Sequence, residues 1–492
     1  MTTNEHEVEE YDVVVIGGGP PGENAAQYAT QFSGLCAVIV EQELVGGECS
    51  YWACMPSKAL LRPVELFDEV AALRELSPAE IDVAAVLERR DRMVNHHDDA
   101  SQVGWAEGAG IAVVRGRGRL VGERLVAVRG AQGDERRLAA RHAVVLDTGS
   151  RPFLPPIEGL EPARPWTSRD VTNCHEIPRR VAILGGGVVA CEAATWLAGL
   201  GAQVTILEQG ERLLARSEPF AAALVAEALV ERGVGVRLGE RVVRVQREEV
   251  NTAGEGWRHG GEVVVELASG GAVRADELVV AAGRQPNSED LGLEHFGLAA
   301  SGPIAVNDDL SVIGVDGSWL YAVGDVCGRA QLTHMGKYQA RICGRVIAAR
   351  SAGEPLDLGE FGAHRDLADA RAVPQVTFTS PPLAAVGETE AEARRRGVAV
   401  EVVEHDLAAL AGTYLLAENY RGRAKLVIDA STDTLLGATF VGAGTAELVH
   451  AATVAVLARV PVSALWHAVP SYPTVAEVWL RLLEALERAR QA

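Results

Sequence analysis

YDVVVIGGGPPGENAAQYA, residues 11–29, is the stretch on which the fold turns. Four β-branched residues, Val13 to Ile16, run into Gly17, Gly19 and Gly22, and a helix-forming stretch follows. This is the pattern of strand, glycine turn and helix. A second apolar run, CAVIVE, ends at Glu41, 24 residues after Gly17, where a ribose-binding acid belongs in such a unit. The glycines let the backbone approach a pyrophosphate, and the helix start offers unpaired N–H groups and a positive dipole end. The unit predicts a dinucleotide site, with an ordinary helix-entry turn as the alternative.

The unit recurs in RRVAILGGGVVACEAATWLAGLGAQVTILEQ, residues 179–209. Gly185, Gly187 and Ala190 follow a strand pattern, and Glu208 ends the next strand 23 residues past Gly185. The two glycine turns start 168 residues apart. Two such sites in one chain suit the passage of hydride between bound nucleotides. At the second, Glu208 favours NADH over NADPH, because an acid accepts a ribose hydroxyl and repels a 2′-phosphate. Arg212, just beyond, either softens that preference or is a solvated arginine.

Working outward, the chain has 492 residues, a net charge of −21, 48 % apolar residues and 52 glycines. Length alone predicts about three domains. The composition excludes a low-complexity chain, and the negative charge, without a long basic run, argues against nucleic acid as a partner. No run approaches the apolar length of a membrane span. The start, MTTNEHEVEE, lacks the pattern of a signal peptide, so the expected location is cytoplasmic. Most cysteines stay reduced there, which sets Cys49 and Cys54 apart from the other five.

Those two cysteines lie in GGECSYWACMPSKALL, residues 46–61, with Pro56 placed to start a helix. Cys54 then sits near a helix N-terminus, where the dipole favours thiolate, and Lys58 adds positive charge about a turn on. A zinc site would need further paired Cys or His, which are missing nearby. A redox dithiol is the better reading, and two unreactive buried cysteines the alternative.

Together these residues resemble the flavin-dependent pyridine nucleotide–disulfide oxidoreductases, the group that contains dihydrolipoamide dehydrogenase, glutathione reductase and mercuric reductase. The likeness spans nearly the whole chain: GGGPPG at 17–22, CSYWACMPSK at 49–58, DTGSRP at 147–152, GGGVVACE at 185–192, GRQPN at 283–287, YAVGDV at 321–326, FTSPPLAAVGETE at 378–390 and YPTVAE at 472–477. It implies an α/β chain with two Rossmann-like dinucleotide-binding domains and a C-terminal α+β dimerisation domain. The implied boundaries are 1–155 with 285–360 for FAD, 156–284 for the nicotinamide, and 361–492 for the interface of a homodimer whose active site both subunits share. FAD would meet Gly17, Gly19, Gly22, Glu41, Lys58, Thr148, Gly149 and Asp325. The nicotinamide would meet Gly185, Gly187, Ala190, Glu208, Gly283 and Arg284. Lys58 and Glu192 match an ion pair beside the flavin, although alone Asp325 reads as a helix cap and Glu192 as a solvated face. Hydride would pass from NADH to FAD and on to a Cys49–Cys54 disulfide, with Cys54 nearest the flavin and Cys49 facing a small-molecule acceptor. No resident metal site is expected.

The pattern breaks at the C-terminus. Where thiol-using members carry a catalytic histidine this chain has Tyr472, with Glu477 at the supporting acid's place. A phenol is a poor base near neutral pH. His467 lies five residues earlier and either substitutes or is packed. The tyrosine resembles mercuric reductase, but the paired C-terminal cysteines that deliver mercury are missing. Tyr51, Trp52 and Ala53 add bulk between the cysteines, which either narrows access or packs against the partner. Cys36, Cys174, Cys191, Cys327 and Cys343 are expected to be buried small hydrophobes. Three functions follow: an oxidoreductase whose acceptor is a quinone, a metal ion or a disulfide; a dihydrolipoamide dehydrogenase; or a non-catalytic redox sensor.

Overall fold

A computed structural model describes residues 8–77 and 79–492. It divides into two compact units. The first collects the chain up to Met55 with Asp91–Arg151 and Arg284–Ala370; the second collects Pro56–Arg90, Pro152–Gly283 and Arg371–Ala492.

In the first unit the quoted stretch forms the strand Val8–Ile16 and the helix Pro20–Thr30. The strand lies inside a sheet, between Ala37–Glu41 and Glu135–Leu146, with Ile111–Arg115 beyond the former, all parallel. Val13 to Val15 are fully buried, as expected of a strand covered on both faces. Glu135–Leu146 is twelve residues long and changes partners along its length. Its start pairs antiparallel with Leu125–Arg129, while its end pairs parallel with Leu320–Ala322. The helix Thr333–Ser351 belongs to the same unit and packs on Pro20–Thr30.

The second unit repeats the motif. A four-stranded parallel sheet runs in the order Gly235–Leu238, Gln203–Glu208, Arg180–Leu184, Glu277–Val280. The helix Val188–Gly199 follows its glycine turn, and a three-stranded antiparallel sheet is built from residues 242–275. The same unit holds a five-stranded antiparallel sheet with the helices Leu448–Leu457 and Val478–Gln491, the expected α+β C-terminal region. Leu482, Leu483 and Leu486 are buried at 2 % exposure or less, and Glu484 and Glu487 occupy the opposite, wetter stripe. No helix among the described residues is long and apolar enough to cross a membrane.

Candidate functional site

Gly17 has φ +108°, and a Cβ there would lie 1.9 Å from the Asp147 carbonyl oxygen. A Cβ at Gly22 would lie 2.2 Å from the Gly17 carbonyl. Only glycine fits either place, so the turn brings its backbone against the end of a neighbouring strand. Glu41 closes the cradle: its Oε2 accepts the Gly18 N–H at 2.7 Å and its Oε1 the Glu43 N–H at 2.7 Å. Burial raises its pKa, against the pull of those two amides. Each oxygen keeps a lone pair for a ribose hydroxyl, so Glu41 and the turn fit a dinucleotide.

Facing this turn across the sheet are 147-149 and 324-325. The Thr148 hydroxyl donates to the Asn287 carbonyl at 2.6 Å, and the Asn287 N–H donates to the Gly149 carbonyl at 2.9 Å. Asp325 stands in the short helix Gly324–Cys327 and accepts the Ser150 hydroxyl at 2.5 Å. Burial raises its pKa, while Ser150 and Arg284 pull it back. Arg284 donates from Nε to the Ser150 hydroxyl and from Nη2 to the Ser150 carbonyl, both at 2.7 Å, and its Nε is 3.8 Å from Asp325. The structure thus groups Arg284 with Asp325 in the first unit, where the sequence had placed it with the nicotinamide.

Cys49 lies in the one-turn helix Gly47–Tyr51, and Cys54 starts the helix Cys54–Ala71. Both are half-buried, and Cys54 Sγ is 3.4 Å from the Thr333 hydroxyl. Tyr51 and Trp52, between the two cysteines, pack within their own unit and leave little surface for a partner subunit, while Ala53 is half-buried. Tyr51 is 1 % exposed and Trp52 8 %. Their rings are 5.7 Å apart, with the His97 ring 6.1 Å from Tyr51 and 5.7 Å from Trp52. Burial, helped by Asp99, pushes the Tyr51 phenol up to about 12. His97 comes from a run of three left-handed residues, Asn95, His96 and His97, with φ of 49°, 50° and 59°.

In the second unit Gly185 repeats the geometry of Gly17, with φ +111° and a Cβ position 2.4 Å from the Ala281 carbonyl. A Cβ at Gly187 would meet open space, Ala190 is fully buried, and Gly283 has φ +124°. Glu208 Oε1 accepts the Gly210 N–H at 2.6 Å, and Oε2 borders the Gly186 position. Arg212 donates to the Ala215 carbonyl at 2.7 Å and is exposed. Glu192 is 4 % exposed, a correction to the solvated face. Its Oε2 accepts from the Lys58 ammonium at 2.8 Å and the Ser57 hydroxyl at 3.0 Å, and its Oε1 from the Phe378 N–H at 3.0 Å. Lys58 also lies 4.8 Å from the Phe378 ring centre.

At the C-terminus Tyr472 is 75 % exposed and Glu477 5 % exposed. Glu477 Oε1 accepts from Arg481 at 2.6 Å, while Oε2 is buried and accepts no bond among the described residues. His467 is exposed in the single chain. Cys174, Cys191, Cys327 and Cys343 are buried, but Cys36 is half-buried with Arg141 3.5 Å from its sulfur. Groups of three or more His, Cys, Asp or Glu poised for a metal are absent among the described residues.

Residues 11–340 match the family described as pyridine nucleotide-disulphide oxidoreductase, and 373–482 match that family's dimerisation domain. A dihydrolipoyl dehydrogenase of Chlamydia muridarum is 29 % identical over 96 % of each chain. A mercuric reductase of Staphylococcus aureus is 29 % identical over 95 % of this chain and 81 % of its own. Among solved structures, the Cu(II) complex of the HOCl-induced flavoprotein disulfide reductase RclA from Escherichia coli superposes with a TM-score of 0.81. That pair shares 25 % identity over 97 % of this chain and 99 % of the other.

Proposed function

Since the chain belongs to the pyridine nucleotide-disulphide oxidoreductases, FAD-dependent enzymes that use a pyridine nucleotide, we propose that it carries electrons from NADH through a Cys49–Cys54 disulfide to a small thiophilic acceptor. Glu41, Asp325, Thr148, Gly149 and the turn Gly17, Gly19, Gly22 would hold FAD, with Arg284 steadying Asp325. Gly185, Gly187, Ala190, Glu208 and Gly283 would hold NADH, since Glu208 presents a carboxylate where a 2′-phosphate would have to sit. When bound, FAD supplies the two-electron link between nicotinamide and dithiol. Cys54 starts its helix, and Glu192 fixes the Lys58 ammonium one turn along the same helix. NADH, one proton and the disulfide give NAD and two thiols. The thiols return to disulfide, releasing two protons, as the acceptor gains two electrons.

The observation that carries the acceptor class is the Glu477–Arg481 pair. An acid held by arginine, beside a tyrosine in place of histidine, is no base for thiol exchange. A metal ion needs no such base, and the names of two similar proteins, a mercuric reductase and a disulfide reductase in complex with Cu(II), carry one. Dihydrolipoamide is the second reading, favoured by the buried Glu477 and by the dihydrolipoyl dehydrogenase likeness. The protein would act as a cytoplasmic homodimer, with the Tyr472 region of one subunit serving the cysteines of the other.

The test is anaerobic reduction by NADH with thiol counting. Wild type should gain two titratable thiols, and Cys49→Ser and Cys54→Ser should gain none. Equal thiol counts before and after reduction in wild type would sink the dithiol reading. Turnover with lipoamide as fast as with Cu(II) or Hg(II) would put dihydrolipoamide ahead.

A further inference from the structure

Asp147 opens the DTGSRP stretch directly after the strand Glu135–Leu146, and the function proposed above makes no use of it. It is 5 % exposed. Its Oδ2 accepts the Gly22 N–H at 2.6 Å, so it takes one of the amides that a helix start leaves unpaired. A Cβ at Gly19 would stand 3.0 Å from Oδ2, and one at Gly324 would stand 2.9 Å from Oδ1. The carboxyl is therefore wedged between the phosphate turn and the turn that carries Asp325.

The charged groups acting on it come from three other elements. Asp325 acts from the short helix after Leu320–Ala322, Glu41 from the end of the second strand, and Glu23 from the first turn of the helix Pro20–Thr30. All three are acids. Lys337 acts on Glu23, while Arg284 and Glu48 act on Asp325. Burial and these neighbours hold the Asp147 carboxyl well above the usual carboxylate range, with only the Gly22 amide pulling the other way.

We propose that Asp147 is a positioning residue for FAD that works as an uncharged carboxyl. With its proton on, it ties the phosphate turn to the strand end and leaves the cradle open to an anionic pyrophosphate. With its proton lost, it sets a fixed negative charge against that pyrophosphate, and the cofactor is released with the proton. The inference rests on the reading of residues 17–41 as the FAD site. Asparagine would keep an oxygen for the Gly22 N–H and carry no charge; alanine would lose the tie.

The experiment dialyses holoenzyme at graded pH, from about 6 to about 10, and reads the flavin retained by absorbance in wild type, Asp147→Asn and Asp147→Ala. Wild-type affinity for FAD should fall by about tenfold per pH unit from the pH at which the carboxyl ionises in the flavin-free protein, and level off where it ionises in the complex as well. Asp147→Asn should retain FAD across that range with a flat profile. Asp147→Ala should also be flat but about five- to tenfold weaker than Asp147→Asn, for want of the hydrogen bond. Coincident pH profiles of wild type and Asp147→Asn overturn the proposal, as does equal retention by the alanine and asparagine forms. A wild type that retains no FAD at any pH overturns the cofactor reading and this inference with it, a result distinct from either of those.

Discussion

Glu192 accepts three hydrogen bonds, from Lys58, Ser57 and the Phe378 amide, while almost fully buried. Alanine there would strand a backbone amide and loosen an ammonium. The expected cost is ~2–4 kcal/mol by denaturant unfolding, most of it from the amide, because Lys58 is a third exposed and water screens it. Glu23 makes a prediction of opposite character. Burial pushes its carboxyl up to about 7, and its Oε1 accepts no hydrogen bond among the described residues. An acid whose folded pKa is raised binds more protons folded than unfolded, so stability is lost as pH rises from the ordinary 4.5 through about 7. The melting temperature of flavin-free protein should therefore drop between about pH 5 and about pH 8, and drop less in Glu23→Gln. An equal drop in both would remove Glu23 as a cause. The cysteines, glycines and terminal acids could be singled out from the sequence because the chemistry proposed for them depends on spacing along the chain. Asp147, Glu23 and His97 were not, since what distinguishes them is which distant backbone or ring they meet after folding. Arg284 was legible as a residue, but its hydrogen bonds to Ser150 were not, because it lies where the chain passes from the second unit back to the first.

Among the elements, the helix Cys54–Ala71 holds a proline in its interior, Pro63, which lacks the N–H that would bond to the Ala59 carbonyl. Arg89 reaches that carbonyl from Nη1 at 3.4 Å, so the gap is filled from outside the helix. Leu60 and Val64 bury the same helix against the core of the second unit. The sequence showed the helix through its apolar spacing and its early Pro56, but Pro63 by itself would have argued for a break. The glycine turns behave alike at the two nucleotide units, and each can be disabled alone. Gly22→Ala forces a Cβ against the Gly17 carbonyl and should yield protein without bound flavin. Gly185→Ala does the same against the Ala281 carbonyl, and should leave flavin content unchanged while the rate of reduction by NADH falls at least about a hundredfold. Flavin loss in the second variant, or retention in the first, would show that the two turns have been assigned the wrong way round.

For the whole molecule, the C-terminal region leaves large apolar side chains in solvent: Tyr414 at 68 %, Leu415 at 64 % and Val469 at 86 %. The match of residues 373–482 to a dimerisation domain supplies a reason. Charged replacements, Leu415→Glu with Val469→Glu, should halve the mass seen by light scattering and leave the monomer folded; an unchanged mass would place the contact elsewhere. That both nucleotide units are α/β and the C-terminal region α+β was readable from motif order. Which strands close each sheet was not, because Glu135–Leu146 takes partners from both directions along the chain.

That long strand has a consequence for synthesis. The parallel sheet of the second unit has its last strand at Glu277–Val280, and a growing chain can finish it there. The first unit cannot finish until Leu320–Ala322 and then Thr333–Ser351 have left the ribosome. The four-stranded parallel sheet is thus complete before the sheet of the first unit. Until then Val144–Leu146 presents backbone amides and carbonyls without their final neighbour, a template for wrong pairing between nascent chains. A chain stopped near residue 283 would leave that edge permanently uncovered.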